Sequence, residues 1–301
     1  MSAAIAVRHT KRRLTSKRAT VAALIIAVLW TTPTLGLFIS SFRPQHEVAT
    51  SGWWTIFANW GLTFDSYVDV LGAGSSGLNL AGAFVNSLAI TVPATIFPIV
   101  IASLAAYAFA WIEFPGKNAL FIGAFALQIV PLQMALVPLL SLFSRGLTVG
   151  NVRIFDGLGV GDSYSQIWIA HTIFALPLAI FLLHNFMSEI PRELIEAARV
   201  DGAGHGQIFL RIVLPLTTPA IASYGIFQFL WVWNDLLVAL VFAGGSQAPM
   251  TKLLAEITGR YGQDWHLLTA GAFLSILVPL IVFFALQRFF VRGLLAGSTK
   301  G

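Results

Sequence analysis

The sequence has 301 residues, 57% hydrophobic and only 10% charged. That is more apolar surface than a soluble domain of this length can bury, so the expected class is an all-α polytopic membrane protein. Cysteine is absent, which excludes disulfides, thiol nucleophiles and cysteine-based metal sites, and the net charge of +5 matters here through its distribution, not as a sign of nucleic acid.

Residues 1–18 form a basic tail carrying Arg8, Lys11, Arg12, Arg13, Lys17 and Arg18 and no acid. The apolar run 19–41 is long for the apolar region of a signal peptide and lacks a small-x-small cleavage site followed by a soluble domain, so it predicts a first transmembrane helix. A span takes about 20 apolar residues. Five more runs qualify, at about 83–111, 119–143, 165–186, 217–243 and 267–290. Pro93, Pro98, Pro131, Pro138 and Pro177 interrupt them, which packed membrane helices tolerate. The loop 42–82 holds Trp53, Trp54 and Trp60, and the first two suit the aromatic belt at a membrane interface. With no internal repeat, the chain predicts one six-helix domain over 19–291 and a short tail over 292–301.

Six spans place both termini on one side. Thirteen of the eighteen Lys and Arg residues fall on that side, so the positive-inside bias predicts cytoplasmic termini and a cytoplasmic loop 187–216 between spans four and five. That loop is the most polar stretch between spans. From Glu189 to Pro219 it carries Glu189, Arg192, Glu193, Glu196, Arg199, Asp201 and Arg211. A helix is expected from Pro191, in its first turn, with a stripe of Leu194, Ala197 and Ala198. Gly202, Gly204 and Gly206 break it, and a second short helix from about Gln207 should run until Pro215 stops it. A lipid-surface helix would show basic polar faces and large apolar residues. Alanines and mixed charges instead suit close approach to a groove in another protein.

Chemistry of its own is hard to find in this chain. The sole Gly-Lys pair, Gly116-Lys117, is followed by Asn118, and Trp111 stands where a phosphate-binding loop needs glycine. No cofactor or metal is therefore expected on this chain, and ATP-driven work would need another polypeptide. Asp235, in Trp231-Val232-Trp233-Asn234-Asp235, is the one carboxylate deep in a predicted span. It either lines a pathway or, with Asn234, caps a helix break. Gln228, Trp231 and Asp235 can share one helix face, which would form either a polar cavity with a ring for stacking on a sugar or a helix–helix seam. Gln128, Gln133 and His171 are further polar groups in or near spans.

The loop resembles the EAA motif of ABC-importer permeases, EAA-x3-G-x9-I-x-L-P. Here it reads Glu196-Ala197-Ala198, Gly202 and Ile212-Val213-Leu214-Pro215, without departure. Ser41-Phe42-Arg43-Pro44, Asn86-Ser87, Ala105-Ala106-Tyr107-Ala108, Phe114-Pro115-Gly116-Lys117, Trp233-Asn234-Asp235-Leu236 and the tail Gln287-Arg288, Gly293-Leu294, Lys300-Gly301 are similar to the carbohydrate-uptake group, of the MalG type.

The resemblance implies a type I importer permease in a bacterial or archaeal cytoplasmic membrane. A second, MalF-type permease, two copies of an ATPase subunit holding ATP and Mg, and an extracytoplasmic solute-binding protein would complete the machine. Glu196, Ala197, Ala198, Asp201, Gly202, Ala203, Ile212, Leu214 and Pro215 would couple to the ATPase. Gln228, Trp231, Asn234 and Asp235 are the candidate substrate pathway. Tyr261, Gly262 and Gln263 lie in a loop similar to the one that probes the binding protein's sugar cleft. The expected cargo is a di- or oligosaccharide such as an α-glucoside, the alternatives being glycerol phosphate or another polar solute, or a stand-alone secondary carrier.

Overall fold

The computed structural model describes residues 17–72, 78–150, 152–161, 163–261 and 264–296. The described residues form two compact units, one within 17–78 and 257–274, the other within 79–256 and 275–296.

The first unit contains helix α1 (Lys17–Ser40), whose apolar side chains are mostly exposed, as a lipid-facing helix requires. The chain then turns around Arg43, which is buried. Its guanidinium donates to the Ser51 and Thr55 hydroxyls at 2.6 and 2.9 Å and pairs with Glu47 at 3.3 Å. A buried charge needs such a shell of acceptors. Tyr67 donates to the Ser41 hydroxyl at 2.7 Å. Burial raises its phenol pKa, against the smaller opposing effect of that bond.

The second unit is built on α2 (Leu80–Trp111), capped by Asn79, whose side chain accepts the Gly82 N–H at 2.8 Å. Pro93 and Pro98 stay inside α2, and each frees a carbonyl four residues earlier. Both carbonyls are taken up from neighbouring helices. The Trp168 indole N–H donates to Ala89 O at 2.8 Å, and the Gln228 amide donates to Ala94 O at 3.2 Å. This repair is what makes proline tolerable in an apolar helix.

A turn with Pro115 second and Gly116 third, at φ +80°, leads into α3 (Lys117–Ala126). Only glycine takes that left-handed position without strain. The third apolar run does not continue straight. A 3-10 turn at Leu127–Ile129 and an extended Val130 precede Pro131, and α4 (Leu132–Arg145) leaves at 107°. The sequence-based expectation of a tolerated Pro131 is thus corrected: proline pushes the preceding residue out of the helical region, and here the chain bends with it. Pro138 stays within α4.

A short hairpin of β1 (Leu147–Val149) and β2 (Val152–Phe155) follows, the one departure from an all-helical fold among the described residues. Helix α5 (Tyr164–Ser188) packs along α2, and α6 (Arg192–Val200) follows it.

The next segment also departs from expectation. One helical turn at His205–Ile208 passes through a π-turn at Phe209–Val213 into α7 (Leu214–Trp233), so Pro215 does not stop the helix. The Leu214 N–H bonds Phe209 O, five residues back. The wider turn gives room where a proline ring would press on the carbonyl four residues earlier.

The fifth run is likewise not one helix. It ends at Trp233 and resumes as α8 (Leu237–Phe242), followed by α9 (Met250–Tyr261) and α10 (Trp265–Ala296). Among the described residues, five helices are long and apolar enough to cross a membrane, or six if the bent pair α3–α4 counts as one span.

Candidate functional site

Helix α6 shows how the charged loop is built. Pro191 is its N-cap, one residue before the helical turn in which it was expected. The helix closes with Gly202 at φ +81°. There Gly202 N–H bonds Arg199 O at 3.0 Å, and Ala203 N–H bonds Ala198 O at 2.9 Å. These are the two reversed bonds of a Schellman motif, which satisfy end carbonyls and need glycine at the left-handed position. The inward residue is Ile195, 2% exposed, with Ala198 and Ala203 beside it against a core that includes Ala106, Tyr107, Leu183, Met187, Ile208 and Val213. The expected stripe is therefore displaced by one residue: Leu194 is 46% exposed, while Ala197 and Glu196 face out with Glu193 and Val200.

Two polar contacts tie this loop to the end of α2. Arg199 Nη2 donates to Trp111 O at 3.3 Å, where a cation also meets the negative end of the helix dipole. The Tyr107 hydroxyl lies 2.9 Å from His205 Nδ1, and its ring packs edge-on to Phe209 at 5.3 Å. Ile212 is half-buried against the same core, and Leu214-Pro215 opens α7.

A cavity of about 490 Å³ lies in the second unit, between the α3–α4 elbow, α5 and α7. The elbow contributes Gln128, Val130 and Pro131; α5 contributes Ile173, Phe174 and Pro177; α7 contributes Tyr224, Phe227, Gln228 and Trp231. The four residues from α7 stand at i, i+3, i+4 and i+7, one helix face. Among the described residues, no charged side chain lines it. Gln228 is 1% exposed and its amide oxygen accepts from Tyr224 at 3.1 Å. Trp231 meets His171 edge-on at 5.5 Å.

Below this face the helix breaks. Asn234 donates to Leu230 O at 2.7 Å, and Asp235 Oδ2 accepts the N–H groups of Val238 and Ala239 at 3.0 and 3.2 Å. Thr251 donates to Asp235 O at 2.7 Å. His171 Nε2 is 3.9 Å from Asp235 Oδ2, beyond hydrogen-bond length.

The sequence pattern of the family described as binding-protein-dependent transport system inner membrane component matches residues 2–295. The chain belongs to this family. It is thus a membrane subunit of an ABC importer, multi-pass in the inner membrane. It is 52% identical over 288 residues to the osmoprotective compounds uptake permease protein GgtD of Synechocystis sp., covering 93% of this chain and 91% of that one. It is 53% identical over 241 residues to the alpha-glucoside transport system permease protein AglG of Rhizobium meliloti, covering 79% of this chain but 60% of that longer protein. A crystal structure of a bacterial alginate ABC transporter, in complex with alginate pentasaccharide-bound periplasmic protein, aligns with a TM-score of 0.67 over 95% of this chain and 96% of its own, at 15% identity, a likeness of fold.

Within this permease, the residues singled out in the sequence fall into separate groups. Gln228 and Trp231 meet at the cavity, whereas Asn234 and Asp235 lie past the end of α7 and hold the break, so the single face expected for Gln228, Trp231 and Asp235 does not form. Gln133 is exposed and outside the lining, while Gln128 belongs to it. Tyr261 ends α9, and Gly262 and Gln263 lie outside the described residues, as do 1–16 and 297–301 of the two tails. Missed in the sequence were the anchors Tyr107 and His205, and the role of Asn86-Ser87. Asn86 donates to Ser246 O and Ala248 O at 2.7 and 3.0 Å and accepts from Tyr164 at 2.6 Å, and Ser87 accepts the Met250 N–H at 2.9 Å. Only long-range geometry reveals such clamps.

Proposed function

We propose that this chain is the permease subunit of an ATP-driven, binding-protein-dependent importer of a di- or oligosaccharide, of which an α-glucoside is the best candidate. The observation that carries the coupling role is the build of α6. Its inner face is fixed by Ile195, Ala198 and a Schellman closure, its flank is held by Arg199 and His205, and its outer face offers Glu196, Ala197 and Val200, the last 88% exposed. A stiff helix with a small-residue, acidic outer face fits a groove with a basic residue. Glu196, Ala197, Asp201 and Gly202 are assigned to that contact or its turn, and Ala198, Ala203, Ile212, Leu214 and Pro215 to holding it on the membrane helices.

ATP and Mg then belong to two copies of a partner ATPase, and this chain performs no catalysis. A second, MalF-type permease completes the pathway, and an extracytoplasmic protein delivers the sugar to the loop containing Tyr261, Gly262 and Gln263. Both termini and α6 are assigned to the cytoplasm, from the excess of Lys and Arg on that side. Closure of the ATPase pair moves α6, and the membrane helices alternate between inward- and outward-facing states to the extent that nucleotide and loaded binding protein favour one of them.

The cargo assignment is supported by the likeness to AglG, an alpha-glucoside transport permease, and by the cavity, whose lining has Gln, Tyr and Trp but no cation for a phosphate. Asn234 and Asp235 we assign to the break at the end of α7 rather than to sugar contact. The test is reconstitution with the ATPase, second permease and binding protein. Sugar should stimulate ATP hydrolysis and uptake, and Glu196→Ala should abolish both while the chain stays in the membrane. Normal uptake by that variant would refute the coupling role.

A further inference from the structure

Resting on the reading of this chain as a sugar permease, we infer that the cavity at the α3–α4 elbow is a subsite for one or two neutral pyranose units, held by Trp231 and Gln128. The cavity, about 490 Å³, falls in the range of small-ligand sites. It is mostly apolar, yet two polar groups at its wall are unpaired. Among the described residues neither the Gln128 amide nor the Trp231 indole N–H has a hydrogen-bond partner. Gln228 and Tyr224, by contrast, are already bonded to each other, and Gln228 to Ala94 O.

An apolar helix filling this space would bury the free amide and N–H without partners, which is costly. A phosphate or carboxylate would meet no positive side chain, since none lines the cavity among the described residues. A pyranose matches both demands. Its C–H face packs on the Trp231 ring, and its hydroxyls, each donor and acceptor, satisfy the amide and the indole N–H. Trp231 is set edge-on against His171 at 5.5 Å, a contact that restrains the ring. Gln128 sits in the last turn before the bend at Val130-Pro131, so the elbow carries it to the cavity wall.

The absence of cysteine from this chain allows a direct test. In the reconstituted transporter, Ala135→Cys, on the cavity wall but apart from the two residues assigned to the sugar, is labelled with a small maleimide and read on this subunit. Sugar delivered by its binding protein at about ten times its Kd should slow labelling by about tenfold, in proportion to occupancy. Trp231→Leu should remove that protection in complexes that assemble normally. If Trp231→Leu does not assemble, Trp231→Phe keeps the ring and loses the N–H, and should weaken the protection. An introduced thiol that never reacts, with or without sugar, would mean the partner permease fills the cavity and would overturn the subsite. Labelling indifferent to sugar in vesicles whose wild-type transporter takes up that sugar would overturn the subsite and leave the importer reading standing. A wild-type transporter that moves no sugar would overturn both.

Discussion

The Tyr107 hydroxyl stands 2.9 Å from His205 Nδ1, joining the last turns of a membrane helix to the loop that follows α6. With Arg199 on Trp111 O, it gives the loop two attachments to one helix end. Removing the hydroxyl tests whether they matter to coupling. Tyr107→Phe keeps the ring against Phe209 and loses one hydrogen bond, a net of about 0.5–1.5 kcal/mol. Uptake per ATP hydrolysed should fall about two- to tenfold at unchanged membrane abundance. An unchanged ratio would mean that apolar packing alone holds the loop.

Gly202 should be sensitive to backbone conformation and not to bulk within its own chain. Nothing lies within 4 Å of a Cβ built there, but its φ is +81°. Asn tolerates that region better than Ala, and a β-branched residue worst, with about 1–2 kcal/mol at stake for an ordinary side chain. Transport activity should therefore rank Gly, Asn, Ala, Val. If Asn is as poor as Val, crowding by the docked partner outweighs the turn.

Gln228 and Pro98 should behave as a coupled pair. Gln228→Ala leaves the carbonyl of Ala94 without a donor, a loss of about 1–3 kcal/mol. Pro98→Ala returns a backbone N–H to that carbonyl. The Gln228→Ala penalty, followed by thermal unfolding of the purified complex, should shrink in the Pro98→Ala background, and an additive cycle would contradict the repair.

Asp235 separates its two readings by substitution. Asn keeps an oxygen for the N–H groups of Val238 and Ala239, whereas Ala removes it, at about 0.5–2 kcal/mol for a lost cap. Assembly should survive Asp235→Asn and weaken in Asp235→Ala. A transport defect in Asp235→Asn with intact assembly would show that the charge itself is used.

Apolar run length was enough to find the helices that can cross a membrane, and the fixed spacing from Glu196 to Pro215 was enough to find the family. The bends were harder to read. Pro93, Pro98 and Pro131 look alike in sequence, yet two are repaired by Trp168 and Gln228 from other helices and the third turns the chain by 107°. What decides is a partner tens of residues away, invisible to local pattern. For the same reason the loop's charges were legible while its anchors were not: Tyr107 reads as one more aromatic in a span until His205 is brought beside it. Asp235 attracted notice because a buried acid is rare, and the cavity's own polar members were less conspicuous amides and rings.

The wide turn at Phe209–Val213 has a consequence for the geometry of α7 as a whole. Each residue of an α-helix advances about 100° and 1.5 Å. Were these same residues wound as ordinary α-helix, the loop end would swing by about 100° relative to the face bearing Tyr224, Gln228 and Trp231, and the helix would lengthen by about one residue's rise. Deleting one residue there would instead remove the wide turn and leave the azimuth of the two ends as it is. The angle between the charged loop and the cavity-lining face of α7 is therefore set by a single supernumerary residue, an indexing step built into the backbone.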